Sequence, residues 1–176
     1  MGNQIWTGLI VLLLTLGAGQ TWAQICHPES IPASTPDSQL QDNGDGTITD
    51  LKTGLMWKQC LEGQSGSDCA SGSVEAFTWP QALQRAQTVN SGGGFAGFTD
   101  WRVPNIKELS SLVERKCVEP AINLTRFPNA SNYWLWSSSA VAGETDFTWG
   151  VDFYNGEPYW RSKDLDYQLR LVRSGQ

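Results

Sequence analysis

Phe147-Thr148-Trp149-Gly150-Val151-Asp152-Phe153-Tyr154-Asn155-Gly156 is the stretch that decides the fold. Large apolar residues stand at 147, 149, 151 and 153, with polar or small residues between them, until Asn155-Gly156 interrupts the pattern. Successive side chains of a strand point to opposite faces, so this alternation is that of a strand with one face in a core. Asn-Gly accepts the positive φ angles of a tight turn and is the strongest short-range hairpin signal. A two-residue turn there pairs Tyr154 with Glu157, Asp152 with Tyr159 and Gly150 with Arg161. Phe147, Trp149, Val151, Phe153 and Trp160 then share the apolar face. Thr148, Asp152, Tyr154, Glu157, Tyr159 and Arg161 share the other.

Upstream the period changes. Trp79, Ala82, Leu83, Ala86 and Val89 recur at helical spacing behind Thr78. Gln81, three residues after Thr78, fits a capping box, and Pro80 is tolerated in a first turn. Asn90-Ser91-Gly92-Gly93-Gly94 ends that helix. After an extended Trp101-Arg102-Val103-Pro104, a second helix is predicted from Asn105, with Glu108 completing its cap. Ile106, Leu109, Leu112 and Val113 line one side of it. Its end is expected near Arg115-Lys116, where positive charge suits a helix C-terminus.

Before the helices, Asp42-Asn43-Gly44-Asp45-Gly46 and Lys52-Thr53-Gly54 are turn sequences around Thr47-Ile48-Thr49-Asp50 and Leu55-Met56-Trp57. They read as a β-hairpin. Asn43-x-Asp45-Gly46 echoes a calcium loop, but Gln41 and Lys52 stand where such a loop wants Asp first and Glu twelfth. No metal site is expected. A last strand is predicted over Leu169 to Arg173. Two helices followed by a strand-rich, aromatic-rich half indicate an α+β domain.

The chain has 176 residues, which suits one domain. Residues 1–23 contain no Lys, Arg, Asp or Glu, and Ile5 to Leu16 is an almost continuous apolar run. That run is shorter than the roughly 20 residues that span a bilayer. With the small residues before Ala23 it is the layout of a signal peptide cleaved after Ala23, although the n-region has no Lys or Arg. The alternative is a retained anchor. Residues 24–41, rich in Pro, Ser and Gln, read as an extended tail, and 42–176 as the folded domain. No stable membrane insertion is expected after cleavage. Net charge is −6 with no basic block, so no nucleic-acid partner is expected.

Four cysteines, Cys26, Cys60, Cys69 and Cys117, allow two disulfides in three connectivities. Cys60 and Cys69 bracket a Gly- and Ser-rich loop, so a local bridge is the simplest choice and leaves Cys26 for Cys117. His27 is the only histidine and no Cys-x-x-Cys occurs. A zinc ribbon lacks ligands and a Ser-His-Asp or Cys-His arrangement lacks a base. Neither catalytic residues nor a cofactor are expected. Asn123-Leu124-Thr125 and Asn129-Ala130-Ser131 match glycosylation sequons, read here as chance.

Taken in order, several segments resemble the Lcl C-terminal domain family, a bacterial family named after a Legionella collagen-like adhesin. They are Asp42 to Asp50, Thr53-Gly54-Leu55-Met56-Trp57, Thr78-Trp79 with Ala82-Leu83, Phe98 to Leu109, Trp136-Ser137-Ser138-Ser139, Val151 to Gly156, and Arg170-Leu171-Val172-Arg173. The resemblance covers about residues 40–173. It implies a C-type-lectin-like fold, two helices flanking a small mixed or antiparallel sheet. It also implies ligand recognition: the family's named member binds host glycosaminoglycans, and related lectin-like domains vary exposed sheet residues. This chain departs in having no Gly-x-y stalk and an acidic charge. The calcium-dependent sugar motifs Glu-Pro-Asn and Trp-Asn-Asp are absent, since Glu157-Pro158-Tyr159 lacks the amide ligand.

The polar hairpin face, Thr148, Asp152, Tyr154, Glu157, Tyr159 and Arg161, is the candidate site. Tyr and Arg are frequent binding anchors, and their planes suit the C–H faces and hydroxyls of sugars. The bland alternative is a wet sheet face with Asp152 paired to Arg161 across the strands. The expectation is a secreted or periplasmic module of the cell envelope, not an enzyme, binding a glycan or a surface protein through residues 148–161. A structural envelope or pilus-associated module is the alternative. A sulfatase-activator-like enzyme would need a redox-active cysteine pair, whereas these cysteines read as structural. The oligomeric state is left open.

Overall fold

The computed structural model describes residues 23–175, so the proposed signal peptide lies outside the described residues except for Ala23. The elements are β1 (Ile25–Cys26), β2 (Leu40–Asp42), β3 (Thr47–Asp50), β4 (Leu55–Lys58), β5 (Gln64–Ser65), β6 (Ser71–Gly72) and β7 (Ala76–Phe77). Then come helices α1 (Trp79–Ser91) and α2 (Ile106–Ser110). The remainder is β8 (Cys117–Val118), β9 (Trp134–Ala140), β10 (Phe147–Asp152), β11 (Glu157–Ser162), β12 (Tyr167–Gln168) and β13 (Val172–Ser174). The chain is α+β, with two helices, mixed and antiparallel sheets and two disulfides, Cys26–Cys117 and Cys60–Cys69.

Two sheets carry the architecture. One has the order β13-β4-β3-β2 and is antiparallel; the other runs β11-β10-β9-β12-β7, antiparallel except where β12 lies parallel to β9. Adjacent residues of β9 face opposite ways and enter different cores. Leu135 joins Val151, Phe153, Leu109, Trp57 and Leu40 in one cluster, and Trp136 joins Ala82, Ala86, Trp101 and Leu171 in the other. The two helices thus serve opposite faces of the five-stranded sheet.

α1 follows its sequence. The Thr78 N–H donates to Gln81 Oε1 at 2.9 Å, Ala82 and Ala86 are buried, and Gly92 caps the end with its N–H on Thr88 O. α2 starts as expected, with Asn105 Oδ1 accepting from the Lys107 and Glu108 N–H groups, but it stops at Ser110 instead of near Arg115-Lys116. The cause is a competing partner. Val113 forms an antiparallel bridge with Ile122, and the Glu114 N–H donates to Ala121 O at 3.1 Å, so the backbone at 113–114 leaves the helical path to pair with 121–122. Leu109, Leu112 and Val113 are still buried.

The 24–41 segment, read from sequence as an extended tail, is tied down at several points. β1 pairs with β8, Gln24 Nε2 donates to Pro120 O and Ile122 O, and Leu40 is fully buried. The Ser34 and Thr35 N–H groups both donate to the Glu114 carboxylate at 3.0 Å. At the other end, the regular strand begins at Val172 rather than Leu169. Leu169, Arg170 and Leu171 are buried beforehand, with Arg170 donating to Lys58 O at 2.8 Å and to Gln59 O.

The β10–β11 hairpin exists, but its register differs by two residues from the predicted one. Asp152 faces Glu157, Gly150 faces Tyr159 and Thr148 faces Arg161. The loop is therefore Phe153-Tyr154-Asn155-Gly156. A two-residue turn would leave the backbone of 153 and 154 to pair with β11, yet other segments hold it. Ala121 N–H donates to Phe153 O at 2.7 Å, Glu119 N–H to Tyr154 O at 2.9 Å, and Phe153 N–H to Tyr133 O at 3.2 Å. Gly156, at φ +78°, sits where an added Cβ would stand 2.5 Å from Val113 Cγ1. A shift of two keeps every strand side chain on its predicted face.

Candidate functional site

The uncovered part of the five-stranded sheet is its β11 end. α1 packs over β7 and β9 on the Trp136 face, whereas residues 157–160 of β11 are exposed. Gly150 is central here. A Cβ on it would come within 2.6 Å of Leu135 O and 3.8 Å of the Trp134 ring, so glycine is what lets β9 and β10 close and Trp134 lean across the strand.

Trp134 anchors a row of rings. Its centroid is 5.4 Å from that of Tyr159 and 5.7 Å from that of Tyr167, and Tyr167 in turn lies 4.8 Å from Trp136 and 6.2 Å from Tyr133. The Arg161 guanidinium stacks 4.0 Å from the Trp134 ring and 5.7 Å from that of Tyr159. Such offset and cation–π contacts hold side chains in place without covering them. Tyr159 remains 42% exposed. Arg161 takes part in none of the ion pairs found among the described residues.

The six expected site residues divide. Tyr159 and Arg161 stand on this ledge. Asp152 is half-buried opposite Trp134 and Glu157, and Glu157 is exposed, so the two carboxylates form an acidic end next to the rings. Asp152 Oδ1 accepts the Tyr154 N–H at 2.9 Å. The cross-strand ion pair between Asp152 and Arg161 does not form, because Arg161 faces Thr148.

Two of the six do not contribute to the open surface. Thr148 is fully buried and donates its hydroxyl to Ser139 O at 2.7 Å, because β9 bulges beside it and takes up the space. Tyr154 belongs to the four-residue turn and is exposed away from the strand. The Glu119 carboxylate near its hydroxyl holds the phenol above its usual ionisation range.

Sequence reading missed Trp134, Tyr167 and Tyr133. Trp134 and Trp136 alternate with Leu135, so period-2 logic places both tryptophans on one face. What it does not reveal is that α1 stops short of Trp134. Of the remaining tryptophans, Trp57, Trp101 and Trp136 are core, whereas Trp160, expected on the buried side, is half exposed and packs edge-on against Phe147 at 4.8 Å. β11 is an edge strand, and its outer end has no neighbour to bury it.

Elsewhere, a cleft of about 330 Å³ lies between the Asp42–Gly46 turn, the Cys60–Cys69 loop and Phe95. Its lysine, Lys58, is paired with buried Glu62 at 2.5 Å. No group of three or more His, Cys, Asp or Glu that could hold a metal gathers among the described residues. All four cysteines are bridged. Asn123 spends its amide on Thr35 O and Asp37 Oδ1.

The Lcl C-terminal domain family model matches residues 46–173. No curated protein matches the chain.

Proposed function

We propose a recognition function on this premise: the chain belongs to the Lcl C-terminal domain family. In this reading it is a secreted or periplasmic module that binds carbohydrate through the Trp134–Tyr159–Arg161 ledge and catalyses nothing. Two disulfides favour an oxidising compartment, and among the described residues no helix is long and apolar enough to cross a membrane.

One observation carries the reading. Arg161 is stacked on Trp134, with no ion-pair partner among the described residues, beside an exposed tyrosine. A pyranose C–H face can lie on the tyrosine while the guanidinium donates to hydroxyl or carboxyl oxygens, and the pre-stacked rings lose little freedom on binding. Asp152 and Glu157 supply acceptors at the other end. The open, shallow surface suits a chain of sugars laid across it better than a single buried ring.

The test is a glycan array probed with the purified protein at two salt concentrations, with Tyr159→Ala, Arg161→Ala and Tyr154→Phe as variants. Loss of binding in the first two and retention in the third is the expected result. Binding that survives both, or a hit only on surface proteins, removes the carbohydrate assignment. A steep loss with salt would show that a charged ligand is held largely by Arg161.

A further inference from the structure

β11 is the outermost strand of its sheet. Glu157 to Trp160 are exposed on both faces. Its backbone directions follow from the hairpin ends. Lys163 N–H bonds Asp146 O, and Gly156 N–H bonds Asp152 O, so residues 157, 159 and 161 direct their backbone groups at β10. Those of 158 and 160 point outward. Pro158 offers a carbonyl there and no N–H; Trp160 offers both. An open edge of this kind is a template for another strand.

The side chains say which strand. On the tyrosine face β11 reads acid, ring, base: Glu157, Tyr159, Arg161. That order is its own complement when reversed. An antiparallel copy laid alongside, with Tyr159 opposite Tyr159, sets each Glu157 against Arg161 of the other copy. These fall at the non-hydrogen-bonded positions of the new pair, where facing side chains come closest. On the other face each Trp160 lies over Pro158 of the other copy and donates its N–H to that proline's carbonyl. The Trp160 carbonyl then meets a proline with no donor, and it already accepts from Arg161 Nη1 at 3.3 Å within its own copy.

We propose that two copies of this chain associate by antiparallel pairing of β11 with β11 about a two-fold axis at Tyr159. The two five-stranded sheets join into one of ten strands. Both aromatic ledges come to lie side by side on one surface, an isologous contact as two-fold symmetry requires. One strand pair is a small interface, so the dimer is weak and concentration-dependent. The inference stands apart from the carbohydrate reading, because association is measured without a ligand.

The experiment is sedimentation equilibrium of the purified, disulfide-bonded protein over a wide concentration range, with Glu157→Arg, Arg161→Glu and the double exchange. Wild type should dimerise. Each single exchange should weaken dimerisation at least about tenfold by setting like charges face to face, and the double exchange should restore it. Unchanged thermal melting of the single variants shows that the monomer is intact. A wild type that stays monomeric up to about 1 mM, the weak limit of specific binding, overturns the proposal. So does a dimer indifferent to the single exchanges, or one that the double exchange fails to rescue.

Discussion

The Glu114 carboxylate accepts both the N–H and the hydroxyl of Thr35, at 3.0 and 3.1 Å, across 79 positions of sequence. Burial disfavours the charge on Glu114, but donors from the Ser34, Thr35 and Lys116 backbone and the Thr35 hydroxyl outweigh it, and the group's pKa is lowered. A carboxyl whose folded pKa lies below its unfolded value stabilises the protein above about pH 4.3, and this contribution is lost as pH falls through the folded value. Melting temperature should therefore drop on acidification below about pH 5. Glu114→Gln should cost about 1–3 kcal/mol at neutral pH, because its amide cannot accept from all these donors, and should flatten the acid limb. Arg102-paired Glu108 is lowered as well, so some acid dependence remains. Calorimetry from pH 7 to 3 checks both statements.

Gly156 and Gly44 offer a matched comparison. Both have positive φ, +78° and +76°, but an added Cβ meets Val113 Cγ1 at 2.5 Å in the first and nothing within 4 Å in the second. Gly44→Ala should cost about 1 kcal/mol, the left-handed backbone penalty alone. Gly156→Ala should cost that plus overpacking, about 2–4 kcal/mol in total. The difference in urea midpoint between them isolates the packing part.

The two disulfides close loops of very different size, with separations of 91 and 9 residues. Chain entropy alone predicts that replacing the Cys26–Cys117 pair by serine costs about 4–5 kcal/mol, and the Cys60–Cys69 pair about 2–3 kcal/mol. Equilibrium unfolding of the two double variants should rank them in that order. The reverse ranking would show that the strap before Leu40 is held by its hydrogen bonds rather than by the covalent link.

Arg170 is fully buried, serves Lys58 O and Gln59 O, and lies 4.7 Å from the Phe127 ring. Arg170→Met keeps much of the volume and abandons both carbonyls and the charge balance with buried Glu62. A loss of about 3–5 kcal/mol is expected in chemical denaturation.

How much of this was readable in advance depends on whether the signal was local. Thr78 with Gln81, and Asn105 with Glu108, announce helix starts because a cap is a contact within one turn. The end of α2 was not readable, since its competitor is the 121–122 segment, remote from any helical repeat. The hairpin shows the same division. Alternation correctly assigned faces to β10 and β11, but Phe153 and Tyr154 are held by residues 119, 121 and 133, which moved the register by two. At the ledge, Tyr159 and Arg161 were visible as residue types on a strand face. Thr148 was lost to a bulge in the neighbouring strand, and Trp134 was not legible as part of the surface because the reach of α1 is a matter of packing geometry.

The long Cys26–Cys117 link has a consequence for biosynthesis. A chain made from its amino end presents Cys26 first, and Cys60 is the next thiol to appear, well before Cys117. Cys60 escapes capture only once Cys69, nine residues later, takes it out of circulation. The short bridge therefore acts as a guard on the long one. Any mispaired intermediate must be resolved by thiol exchange before the strap can dock on Glu114 and complete maturation.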